Sequence, residues 1–249
     1  MNRPALCAAL LFSAAAAGAA DYQAVPAGSF ASVLSSEKLG NPPVKVAGFS
    51  LRTLPVTNGE FLAFTVKHPE WQRANAVPVF VDANYLRQFS GTPGDRRPVT
   101  NVSWFAAQAY CESEGARLPS WYEWEYVAAA DASHRDARRD PAWRAKILGW
   151  YSQATPATPP LVGGPANAYG VRDMHGLIWE WVDDFNALLI SADSRDQGDP
   201  DKLQYCGAGA ISLQDRENYA VLMRVALLSS LSGADSTTNL GFRCARNQP

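Results

Sequence analysis

Thiols, imidazoles and carboxylates are the groups of this chain that can do chemistry, and the first two are scarce. Four cysteines (Cys7, Cys111, Cys206 and Cys244) and three histidines (His68, His134 and His175) are spread over 249 residues. No histidine has a neighbour at the helical or strand spacing that gathers imidazoles around a metal. There is no CxxC pair, no Gly-x-Ser-x-Gly elbow and no glycine-rich phosphate loop. Asp183-Asp184 is a carboxylate pair, but neighbours on a strand point to opposite faces, which argues against an acid–base dyad.

Cys7 belongs to a segment that reads as a cleaved secretion signal. Residues 1–20 run MNRPALCAALLFSAAAAGAA, a single Arg3 ahead of an apolar stretch that ends on small residues. The stretch is shorter than the roughly 20 residues a membrane span needs, and Asp21 begins polar sequence. The expectation is a periplasmic protein, free of the membrane once cleaved. The mature cysteines are then Cys111, Cys206 and Cys244. An odd number in an oxidising compartment permits at most one internal bridge, and residue types alone do not choose the pair.

The remainder, residues 21–249, must position these groups. At 47% hydrophobic and 11% aromatic residues the whole chain is too apolar for disorder, and the length suits one domain. Twenty-two Lys and Arg against 24 Asp and Glu leave no cationic excess for a nucleic-acid surface. Val44–Leu51 and Gly241–Ala245 read as strands. Ser103 is a good N-cap for a helix that runs to Gly115 and turns Cys111 toward the core. Ser120 and Glu123 have the spacing of a capping box, opening a second helix whose Trp121, Trp124 and Ala128 form a core stripe. Pro42-Pro43 and Thr155–Ala166 read as loops.

Five blocks in order carry a resemblance: LPVTNGEFLAF at 54–64, PVTNVSWFAAQAYC at 98–111, ARLPSWYEWEYVAAA at 116–130, NAYGVRDMHGLIWEWVDDF at 167–185 and NLGFRCAR at 239–246. Together they resemble the formylglycine-generating enzyme, or sulfatase-modifying factor, family across nearly all of the mature chain. The resemblance implies an α+β fold in one compact domain, with little regular secondary structure and a core of C-type-lectin-like kind. It also implies structural calcium, held by the side chains of Asp173 and Glu180 and the carbonyls of Gly176 and Ile178. Calcium takes several hard oxygens, and alternate positions of an extended segment point the same way. Glu180 lies between Trp179 and Trp181, which speaks against a freely solvated acid. The family's other calcium loop finds no carboxylates in Leu148–Gly164.

Active members oxidise a protein cysteine to formylglycine with oxygen and a copper(I) ion held by two cysteines. Copper(I) is soft and wants sulfur ligands. Counted back from Asn239, the family's two copper cysteines fall on Asp215 and Ala220, so the resemblance implies that the pair is missing and leaves copper open. Cys206 is the candidate for an altered catalytic thiol. The family's substrate-site arginine falls on Leu228, while Ser229 is kept. Trp179, Trp181 and Ser229 are the expected walls of a peptide groove. Cys111 and Cys244 lie in blocks whose cysteines are commonly structural in the family, so the resemblance suggests one bridge between them, while the pairing among Cys111, Cys206 and Cys244 stays open. The Asp173–Val182 block resembles an exported subgroup often encoded beside copper nitrite reductases.

The expected function is therefore an exported family member that binds or helps mature another exported protein, a copper enzyme among the candidates. An active formylglycine-type oxidase and a calcium-dependent lectin-like binding module are the alternatives.

Overall fold

A computed structural model describes residues 21–32, 43–187 and 219–248. The N-terminal segment 1–20 and Cys206 lie outside the described residues.

Among the described residues three small sheets and five α-helices pack together. The largest sheet has the order β1 (Tyr22–Val25), β4 (Phe49–Arg52), β7 (Ala245–Asn247), all antiparallel, and joins the two ends of the domain. β2 (Gly28–Phe30) and β3 (Val44–Val46) form an antiparallel pair, while β5 (Trp179–Glu180) runs parallel to β6 (Leu240–Gly241). At that last crossing the chains are very close. A Cβ on Gly241 would stand 2.3 Å from the carbonyl oxygen of Val99, so only glycine fits.

Both expected strands are shorter than the alternation suggested. Val44–Leu51 breaks at Ala47-Gly48 because the two halves join different sheets. Gly241–Ala245 breaks because the carbonyls of Phe242 and Cys244 turn to the amides of Val56 and Arg52.

The two expected helices form where local signals place them. α2 (Trp104–Ser113) starts from Ser103, whose hydroxyl accepts the Ala106 amide, and Gly115 follows it at φ +66°. α3 (Trp121–Ala128) has both arms of its capping box in place. α1 (Asn58–Lys67), α4 (Pro141–Tyr151) and α5 (Tyr219–Ser229) are additional. The 155–166 stretch contains no helix or strand, but it is pinned to the body. Val162 is buried against Leu177 and Ile178, and its amide reaches the carbonyl of Arg96.

The main apolar cluster ties most of these elements together, with Trp121, Trp124 and Trp181 each 2% exposed or less. Cys111 on α2 and Cys244 before β7 form a disulfide inside it, with Cα atoms 5.5 Å apart. Among the described residues no helix is long and apolar enough to cross a membrane.

Candidate functional site

The site begins at β5. A two-residue strand places Trp179 at the edge of the domain and sends the Glu180 side chain inward, where it has no exposure. A carboxylate so placed must be paired and hydrogen-bonded. Arg243, equally buried, meets it in two-pronged fashion: Nη2 donates to Oε1 at 2.7 Å and Nε to Oε2 at 2.8 Å. Trp124 Nε1 on α3 donates to Oε2 at 2.9 Å.

A second guanidinium lies behind. Arg224 on α5 is 1% exposed, donates through Nη2 to the Glu180 carbonyl, and sits 3.6 Å from the ring centre of Trp124. Its Nε has no hydrogen-bond partner, and the ring face beneath the guanidinium offers its negative quadrupole instead. Burial pushes its pKa down to about 10, an effect that Glu180 partly offsets.

His175 sits edge-on to Trp124 and Trp143, with ring centres 5.6 and 5.7 Å away. Its Nε2 bonds the Ala128 carbonyl at 2.9 Å, while Nδ1 is sealed off without a partner. Burial brings the imidazole down to about 4, with Arg224, Arg243 and Lys146 pushing the same way.

The remaining expected site residues each have different partners. Asp173, at φ +59°, accepts the amides of Gly163 and Gly164 at 2.7 and 2.9 Å, closing the 163–173 loop. Trp179 packs against Trp150 and Tyr151 of α4 at 5.7 and 4.9 Å and stays half-buried. Trp181 does not line a groove. The strand ends at Glu180, and Trp181 turns into the core with Nε1 donating to the Val102 carbonyl at 2.9 Å. The Ser229 hydroxyl turns back on its own helix, to the carbonyls of Val225 and Ala226. Leu228 is wholly buried. Asp183 and Asp184 also separate by role. Asp184 accepts the Trp121 amide at 2.7 Å, while the Asp183 amide reaches the Pro119 carbonyl.

The fit to calcium fails at Glu180. Its oxygens already carry three donors, and two guanidiniums stand where a dication would need room and negative charge. Among the described residues no group of three or more His, Cys, Asp or Glu could hold a metal ion.

Neither arginine belongs to the expected site, although the sequence carries a trace of each. Arg224 is the only charge in the α5 run YAVLMRVALLS, and Arg243 lies between Phe242 and Cys244 in an apolar block. A lone cation in such a setting needs an internal partner.

A family model described as the sulfatase-modifying factor enzyme 1-like domain matches residues 8–248. The chain is 30% identical over 256 residues to the formylglycine-generating enzyme of Streptomyces coelicolor, a match covering 82% of this chain and 80% of that one. It is 30% identical over 163 residues to the formylglycine-generating enzyme of Bos taurus, covering 59% of this chain and 43% of the bovine protein. To the inactive C-alpha-formylglycine-generating enzyme 2 of Bos taurus it is 29% identical over 164 residues, covering 59% of this chain and 50% of that protein.

Proposed function

Because this chain belongs to the sulfatase-modifying factor family, we propose that it is an exported member that binds, or helps mature, another exported protein and has no copper oxidase centre. The observation that carries this reading is the Cys111–Cys244 disulfide, which uses both sulfurs. Cys206 is then the one cysteine of residues 21–249 left over. A linear bis-thiolate copper(I) site needs two. Neither Cys111 nor Cys244 can turn to Cys206, because each is fully buried and covalently held.

Two further observations support a role in binding rather than oxidation. Leu228 is a buried aliphatic residue where oxidases of the family carry a substrate-site arginine. The aromatic face of Trp179, Trp150 and Tyr151 remains half-buried and able to pack against an extended segment. The buried disulfide accords with folding in an oxidising, periplasmic setting. A copper enzyme is the partner to try first, given the resemblance of the Asp173–Val182 block to the subgroup encoded beside copper nitrite reductases.

Three measurements on the purified mature chain test the proposal. Metal analysis is expected to find no stoichiometric copper. Oxygen uptake with a sulfatase-type cysteine peptide is expected to stay at background. Alkylation without reduction, read by mass spectrometry, is expected to label one thiol. Turnover with one copper per chain overturns the proposal and establishes an oxidase built on Cys206.

A further inference from the structure

We infer that Arg243 and Arg224 hold the 173–180 segment internally, at the place the family resemblance assigns to calcium, so that this chain folds and stays folded without calcium.

Arg243 is placed as a cross-linking cation would be. Its Nε and Nη2 hold the Glu180 carboxylate. Its Nη1 donates to the carbonyls of Arg52 and Thr53 at 3.2 and 3.3 Å, and Nη2 also reaches the carbonyl of Arg172 at 3.0 Å. One positive charge therefore gathers five oxygens from the end of β4, the residue before Asp173, and β5. That is the type of ligand set a hard dication collects from carboxylates and carbonyls. The fork of the guanidinium reaches all of them without water, which suits a place with no exposure.

Arg224 closes the remaining side, donating to the Glu180 carbonyl and lying on Trp124. Glu180, Arg243 and Arg224 together carry a formal charge of one positive unit. A calcium ion on Glu180 would add two more in the same dry interior, where like charges repel strongly. Calcium also needs six to eight oxygens at about 2.3–2.6 Å, often including water. A carboxylate offers about four lone-pair positions, and donors already occupy three on Glu180. Asp173 is satisfied separately by the Gly163 and Gly164 amides. A lectin-like mode, in which a bound calcium leaves a ligand position open, thus has no footing on Glu180.

Thermal melting of the mature protein in EGTA and in millimolar calcium tests the inference, together with terbium titration. A terbium ion in a calcium site beside Trp179 and Trp181 would emit by energy transfer from the indoles. The expected result is the same melting temperature in both buffers and no saturable terbium emission. A rise in melting temperature with calcium overturns the inference, as does saturable emission that calcium displaces and Asp173→Ala abolishes. Emission that Asp173→Ala leaves unchanged arises elsewhere on the chain and agrees with it.

Discussion

Arg243 and Glu180 are joined by two parallel hydrogen bonds, of 2.7 and 2.8 Å, with neither side chain exposed. Removing one member of a buried pair strands the other charge, at a cost of about 3–5 kcal/mol. Arg243→Met is expected to lose about 4 kcal/mol of unfolding free energy. Adding Glu180→Gln should recover part of that loss, because no bare charge then remains. Urea melts of the wild type, the two single variants and the double variant give the coupling. Strictly additive losses would mean that the two groups do not depend on each other.

The Cys111–Cys244 bridge spans 133 residues and joins α2 to the strand that closes the main sheet. Cross-linking so long a loop restricts the unfolded chain by about 5 kcal/mol in the chain-entropy estimate. Replacing both cysteines with alanine is expected to cost about 2–5 kcal/mol, measured by denaturant unfolding against the oxidised wild type. A loss below about 1 kcal/mol would show that the unfolded chain keeps its ends together without the bridge.

What was legible in the sequence was local. Ser103, Ser120 and Glu123 announce α2 and α3 because a cap and the amides it satisfies lie within three residues. The same signal stood at Thr57 and Glu60, where α1 has a complete capping box, but Asn58-Gly59 has the look of a turn. Gly59 is needed there for another reason: a Cβ would come within 2.9 Å of the Gly94 amide. The flanking tryptophans rightly pointed to a buried Glu180. They gave no hint of Arg243, which arrives from 63 residues away. Trp179 and Trp181 share a face only while a strand continues, and here it ends between them, so Trp181 enters the core instead of a groove.

His175 predicts a pH dependence. Its folded pKa is about 4, well below the ordinary 6.5, chiefly through burial. Between these values the unfolded chain binds a proton that the folded one refuses, so stability rises with pH across that interval. The contribution is complete above about pH 6.5 and is lost as pH falls toward 4, amounting to about 3 kcal/mol. His175→Gln is expected to flatten the difference between pH 7 and pH 4 in denaturant melts. A wild-type slope that survives the substitution would locate the proton uptake elsewhere.

The start of α3 gives a prediction of smaller size at a more exposed place. Glu123 accepts the Ser120 amide at 2.8 Å and is clasped by Arg117 at 2.6 and 2.7 Å, while the Ser120 hydroxyl accepts the Glu123 amide. Asp184 takes the next free amide, that of Trp121. Three acceptors thus serve amides that would otherwise lack partners, and two are carboxylates at the positive end of the helix. Ser120→Ala is expected to cost about 1 kcal/mol. Arg117 keeps 31% of its side chain in solvent, so Glu123→Gln is expected to cost far less than any change at Glu180. High salt should shrink the Glu123→Gln loss and leave the Arg243→Met loss nearly unchanged, since screening reaches an exposed pair and not a buried one. Denaturant melts of both variants at low and high sodium chloride make the comparison. Equal salt sensitivity would contradict the burial that separates the two arginine–glutamate pairs.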